Sequence, residues 1–182
     1  MTMQDLITTL QQRYRLDRVE HRRADLAFAD VQGDELRPLV QDLRDQAGFS
    51  HLVLLTAVDW LEDGVFQLTY MLNNRTANRT LALRVMIDRD AATAPSIHDI
   101  WPTAATYQRE LREMFGIRFP GSPRVDEEFI LEGWTDLPPY RRDFDTLGYS
   151  QQTYRDRPGR ETHDPREHMK TKLYPDTAKG GA

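Results

Sequence analysis

The sequence predicts an α+β fold, with a mostly antiparallel sheet, helices packed on one face, and a long irregular C-terminal extension. Three observations carry this. Up to Phe119 the apolar periodicities follow the order helix, strand, helix, three strands, helix. Two of those strands are joined by Asn73-Asn-Arg-Thr-Ala-Asn78, a run of turn formers suited to an antiparallel hairpin. Beyond Phe119 prolines recur and the periodicity is lost, which sets a core domain at 1–119 apart from an extended tail at 120–182.

Taken in order, Leu6, Ile7, Leu10 and Tyr14 support a first helix from about Met3 to Tyr14. A strand follows over Ala24 to Val31 and ends at Gln32-Gly33. Asp34 then reads as the N-cap of a second helix, with Pro38 in its first turn and Leu36, Leu39, Val40 and Leu43 as its buried face. Gly48 ends that helix. The continuous apolar run from His51 to Val58 reads as a strand covered on both faces. A turn at Asp59 to Gly64 leads into strands at Val65–Leu72 and Arg79–Ile87. In the last of these Leu81, Leu83, Val85 and Ile87 alternate, as they should with one face on the core.

Tyr107 to Phe119 reads as a short, highly charged helix that stops at a glycine. Tyr107, Leu111, Met114 and Phe115 recur at i, i+4, i+7 and i+8 and form one apolar stripe. Arg109 and Glu113 lie one turn apart on another face, where they can pair. Gly116 falls where a C-cap belongs, and Ile117-Arg-Phe119 continues as extended chain until Pro120-Gly121 turns it. By pattern alone this is an amphipathic helix with a solvated charged face.

With 182 residues the chain can bury a substantial core. A formal charge of −5 offers no general case for binding nucleic acid or an anionic surface. The chain has no cysteine, which excludes thiolate-ligated zinc, disulfides, a cysteine nucleophile and a cysteine-ligated iron–sulfur cluster within it. No apolar run reaches the roughly 20 residues that cross a bilayer. The first residues, Met1 to Asp5, lack the basic and apolar regions of a secretory signal, so the expected setting is cytoplasmic.

The catalytic inventory is thin. His163 and His168 are the only closely spaced histidines, but five residues apart in a proline-broken stretch they lack the i, i+4 spacing of a helical metal pair. Asp126-Glu-Glu128 offers adjacent carboxylates, which in a solvated loop do not ordinarily converge on one site. No phosphate loop, nucleophile elbow or dinucleotide fingerprint is present. Arg141-Arg142, flanked by Tyr140 and Phe144, suits a protein interface better than nucleic acid, because no basic stripe extends from it. Trp134, Tyr140, Phe144, Tyr149, Tyr154 and Tyr174 stud the irregular stretch, a composition closer to a segment that lies along a partner than to a disordered tail.

Gln108-Arg-Glu-Leu-Arg-Glu-Met-Phe-Gly-Ile117 resembles the Glu-Arg-Glu-x-x-Asp-Met-Phe-Gly-Ile motif of the C subunit, or 30-kilodalton subunit, of respiratory complex I, NADH:quinone oxidoreductase. Pro95-Ser-Ile97 and Ile100-Trp-Pro102 match that family's approach to the helix. Gly121-Ser-Pro123 stands where it has Gly-His-Pro, and Pro139-Tyr-Arg-Arg-Asp-Phe144 is similar to its Pro-Leu-Arg-Lys-Asp-Tyr segment, with Gly148-Tyr149 beyond. The likeness runs to about Tyr154. There are departures: Gln108 for Glu, Glu113 for Asp, Ser122 for His, acidic Asp126-Glu-Glu128 for the paired Arg, and Leu137-Pro138 in place of Gly-His before the second Pro.

The resemblance implies a subunit without a redox centre, peripheral on the cytoplasmic face of the inner membrane. It would dock on the hydrogenase-like large subunit near the quinone site, beside neighbouring iron–sulfur subunits, with its extension wrapped over the partner. NADH, FMN, iron–sulfur clusters and quinone would then belong to partner chains. The implied interface comprises Arg109, Glu110, Glu113, Phe119, Trp134, Tyr140, Arg141, Arg142, Asp143, Phe144 and Tyr149. Membrane-bound nickel–iron hydrogenases and formate hydrogenlyases carry a similar subunit, which makes an assembly of that kind the alternative. A free-standing hydrolase or binding domain using the acidic loop and the two histidines is the reading from another class.

Overall fold

A computed structural model describes residues 2–154. The expected helix–strand alternation is present, with one strand added. α1 (Met3–Gln11) opens on a capping box: the Thr2 hydroxyl accepts from the Asp5 amide at 3.1 Å, and the Thr2 amide donates to the Asp5 carboxylate at 2.6 Å. The helix buries Met3, Leu6, Ile7 and Leu10 and ends before Tyr14, whose hydroxyl donates to Asp42 instead of extending the helix.

β1 (Leu16–Arg23) had no sequence signal. Its Leu-Asp-Arg-Val-Glu-His-Arg-Arg run buries only Leu16, and the strand lies at the sheet edge with two register breaks. Charged residues and bulges suit an edge strand, and they erase the apolar alternation that reveals central ones. β2 (Leu26–Val31) follows, then α2 (Gly33–Asp45). Gln32, not Asp34, is the N-cap, so Pro38 stands inside the helix and removes one hydrogen bond there. Complete burial of Leu36, Leu39, Val40 and Leu43 offsets that loss.

Gly48, at φ +73°, reverses the chain so that the Phe49 amide reaches the Leu43 carbonyl at 2.9 Å. A Cβ here would stand 2.9 Å from the Asn74 side chain, which donates to the Ala47 carbonyl at 2.8 Å. This glycine is therefore needed for both its conformation and its closeness to the hairpin.

β3 (His51–Trp60), a 3-10 turn at Leu61–Asp63, β4 (Val65–Asn74) and β5 (Arg79–Asp88) complete a sheet of order β1-β2-β5-β4-β3. The β4–β5 hairpin is antiparallel as expected, and only the β2–β5 pair is parallel. β3 corrects an expectation. It is an edge strand, and Leu54, Val58 and Trp60 are exposed, because the apolar cluster of α1, α2 and α3 (Ala104–Phe115) covers one face of the sheet only.

After α3 the chain returns as Arg118 pairs with Ala92 and Ala94, through bonds of 2.7 and 3.0 Å. The first compact unit runs on to Phe144, well past the boundary expected at Phe119, because residues beyond 120 tie back onto α3 and β3. A second unit begins at Asp145 and contains α4 (Thr146–Thr153), capped by the Asp145 carboxylate on the Gly148 amide at 2.9 Å. His163, His168 and Tyr174 lie outside the described residues.

Candidate subunit interface

The charged helix α3 lies against the core by Leu111, Met114 and Phe115 as its spacing required. Tyr107 is partly buried, and its hydroxyl donates to the Val53 carbonyl at 2.9 Å. Gln108 is 0% exposed and accepts a 2.8 Å hydrogen bond from Ser96 through its Oε1, so the residue that stands for the family's first glutamate belongs to the interior. A neutral amide tolerates that site far better than a carboxylate without a counter-ion would.

The expected Arg109–Glu113 pair does not form. Glu113 turns both oxygens to the following loop, accepting from the Phe129 and Ile130 amides at 2.6 and 2.9 Å. Arg109 instead stacks its guanidinium 5.1 Å over the Phe129 ring, and its buried Nε has no hydrogen-bond partner among the described residues. Glu110, half-buried beside it, makes no ion pair among those residues. Two backbone donors hold Glu113 more firmly than one mobile arginine would, which explains the exchange of partners.

The end of α3 is built by a later strap of chain, residues 138–143. Gly116 has φ +78°, and a Cβ there would meet Arg141 Nη2 at 3.2 Å and Pro138 Cγ at 3.3 Å. Arg141 Nε donates to the Phe115 carbonyl at 2.8 Å and the Tyr140 amide to the Met114 carbonyl at 3.0 Å, so two orphan carbonyls of the last turn are satisfied. Phe115 packs edge-on to Phe66 and Tyr140, and the Arg141 guanidinium lies 5.3 Å over Phe66.

Beneath the strap sits an ionic cluster. The buried Asp59 carboxylate accepts from Arg89 Nε at 2.8 Å, from Arg89 Nη2 at 3.1 Å and from the Arg142 amide at 2.9 Å. Arg89 Nη2 also donates to Asp143 at 2.6 Å, and Arg142 pairs with Glu62. Burial by itself would raise the Asp59 carboxyl. The hydrogen bonds from Arg89 and Arg142 and the charges of Arg89 and Arg141 more than offset it, and hold its pKa below the usual carboxylate value. Hydrogen bonds to Asp59 and Asp143 push the Arg89 pKa up, against its own desolvation.

The expected interface residues therefore divide. Phe119 is 1% exposed and belongs to the core, next to Arg118, whose amide donates to the Ala92 carbonyl. Arg141, Arg142 and Asp143 face the ionic cluster and the helix end, while Tyr140 is 58% exposed. Trp134 packs on Phe144 at 5.6 Å and donates to the carbonyls of Asp136 and Leu137. Tyr149 lies in α4 of the second unit. Asp126, Glu127 and Glu128 take separate partners, Arg112, Arg124 and the Gly133 amide, although all three line one cavity of about 200 Å³ together with Glu113 and Asp136.

Sequence reasoning missed Asp59 and Arg89. A signal existed: the hairpin registers place Asp59 beside Phe66 and Phe66 beside Ile87, so Arg89 follows two residues on, on the same face. Among the described residues no group of three or more His, Asp or Glu is placed to hold a metal ion.

The family model described as "Respiratory-chain NADH dehydrogenase, 30 Kd subunit" matches residues 29–150. The C subunit of the NADH-quinone oxidoreductase of Moorella thermoacetica is 32% identical over 114 residues, covering 63% of this chain and 76% of that protein. In the corresponding C subunit of Phenylobacterium zucineum the identity is 35% over 127 residues, covering 68% of this chain and 58% of that protein. Among solved structures, a chain of the membrane-bound sulfane sulfur reductase, an archaeal respiratory membrane complex, matches with a TM-score of 0.78 and 28% identity, covering 89% of this chain and 96% of that one. A trypsin-resistant fragment of Nqo5 shares the fold, with a TM-score of 0.54, 19% identity, and 66% and 96% of the two chains covered.

Proposed function

This chain belongs to the 30 kDa subunit family of respiratory-chain NADH dehydrogenase, and from that premise we propose that it is a cofactor-free, non-catalytic subunit of the peripheral arm of a proton-translocating NADH:quinone oxidoreductase. In this reading it docks on the hydrogenase-like large subunit near the quinone site and holds it in place. NADH, FMN, iron–sulfur clusters and quinone are then bound by neighbouring chains, and partner proteins keep this one at the cytoplasmic face of the membrane. No helix among the described residues is long and apolar enough to cross a membrane.

One observation carries the docking proposal: Arg109 Nε is buried without a hydrogen-bond partner among the described residues, next to a half-buried Glu110. Buried donors are ordinarily satisfied, and unlike Tyr70, Trp101, Gln108 and Ser122, whose unbonded polar atoms belong to buried residues, Arg109 is only half-buried, so a carboxylate or carbonyl from a neighbouring subunit would reach this one. The match to the archaeal sulfane sulfur reductase supports a place in a respiratory membrane complex, while the names of the sequence relatives favour the quinone oxidoreductase. The hydrogenase-type alternative is not favoured by these names. A free-standing hydrolase finds no support in Asp126, Glu127 and Glu128, each of which is engaged by its own local partner.

The test is Arg109→Ala in the native organism, read on a native gel. The expected outcome is loss of the assembled peripheral arm while the isolated variant melts near the wild-type temperature. A fully assembled arm carrying the variant counts against this docking face.

A further inference from the structure

We infer that the sheet face turned away from the helices is a second docking surface, which takes an amphipathic, basic helix from a partner chain. The register sets Val58, Gln67 and Met86 in one row and Trp60 and Val65 in the next, all on that face. Val58, Trp60 and Met86 are 43%, 42% and 45% exposed, which is unusual for three apolar side chains on adjoining rows. The Trp60 indole is already oriented, donating to Gln67 Oε1 at 3.3 Å, so little side-chain freedom remains to be lost on binding. Val65 and Met86 help line a groove of about 540 Å³ that runs across the strands from Asp30 on β2 to Trp60 and Asp63 beyond β3.

Charge identifies the occupant. The groove's two cations are already engaged: Arg84 bonds Asp30 at 2.5 Å and Glu20 at 3.1 Å, and Arg18 Nε pairs with Asp30 at 3.8 Å. Asp63, at the other end, makes no ion pair among the described residues. Apolar Trp60, Val65 and Met86 set among polar side chains, with an unpaired carboxylate at one end, fit an apolar stripe flanked by lysine or arginine. The groove crosses the strands, so an added strand lying in it could not extend the hydrogen-bond ladder. Along β3 itself a register break between Leu52 and Leu54, and the Tyr107 hydroxyl on the Val53 carbonyl, interrupt the free edge. A second copy of this chain would set Asp63 against the same acidic end, which disfavours self-association. The other face of this sheet is covered by helices, and a helix completes it here in the same way.

This inference concerns a face separate from α3, and it rests on the subunit reading only for the source of the partner. Hydroxyl-radical footprinting of the full chain, alone and within the assembly extracted from membranes, tests it. Trp60 and Met86 are expected to oxidise readily in the free chain and to lose that reactivity in the assembly. A photo-reactive residue at Val58 should cross-link to a helical segment containing lysine or arginine, and Asp63→Lys should weaken incorporation without lowering the melting temperature. Undiminished oxidation in an intact assembly overturns this inference while leaving the subunit reading in place. A cross-link to a second copy, or to a strand, also overturns it. A chain found in no assembly overturns both.

Discussion

Asp59 on β3 and Arg89 just beyond β5 face each other in a two-pronged ion pair of 2.8 and 3.1 Å, although β4 lies between their strands. The Asp59 side chain is 1% exposed and that of Arg89 11%. The pair is also the anchor of the strap, because Asp59 holds the Arg142 amide and Arg89 holds the Asp143 carboxylate. Asp59→Asn leaves a desolvated guanidinium with one remaining carboxylate, and should destabilise the chain by about 3–5 kcal/mol in urea unfolding. Replacing both, as Asp59→Asn with Arg89→Met, should cost less than the two single changes summed, because no unpaired charge remains.

The same pair sets a pH dependence. Asp59 has a folded-state pKa below its unfolded value, so its contribution is fully present above the unfolded carboxylate pKa. It is lost as pH falls through the lower folded value. Amide exchange at Arg142, whose N–H donates to Asp59, should accelerate on acidification below the ordinary carboxylate range. In Asp59→Asn that acid-dependent opening should disappear, since the titrating group is gone.

Gly116→Ala should be costly for two separate reasons. Positive φ disfavours any Cβ by about 1–2 kcal/mol. Contacts of 3.2 and 3.3 Å with Arg141 and Pro138 would also have to yield, and with them the cap on the Phe115 carbonyl. Thermal melting should fall by more than for alanine at Gly64, which shares the positive φ but has nothing within 4 Å.

Glu113→Gln tests whether α3 carries its own loop. The carboxylate accepts two backbone amides, and neutralising it weakens two charge-assisted bonds by about 1.5–3 kcal/mol in total. Faster amide exchange confined to Phe129 and Ile130 is the expected result. Unchanged exchange there would show that the loop is held by the Arg109–Phe129 stacking instead.

Elements with strong apolar periodicity were legible in the sequence. α2, the β4–β5 hairpin and the buried stripe of α3 fall where Leu, Val and Phe spacing placed them, because a single buried face imposes a period of 3.6 or 2. β1 was not legible, since an edge strand with one buried residue leaves no period. β3 was legible as a strand but not as an edge: an apolar side chain reads alike whether it meets a helix or an unfilled face.

The sequence by itself determined the α+β class, the absence of cysteine chemistry in the chain, and the glycine that ends the charged helix. These follow from local preferences and composition, which do not depend on what packs where. Only the tertiary structure decided the partners of the charges. It gave Glu113 to backbone amides, Arg141 to a helix end and Asp59 to Arg89, while Arg109 kept an Nε unbonded among the described residues. A charged side chain can reach many partners along a sequence, and the one it keeps is set by which backbone or side-chain group the fold carries within about 3 Å of it.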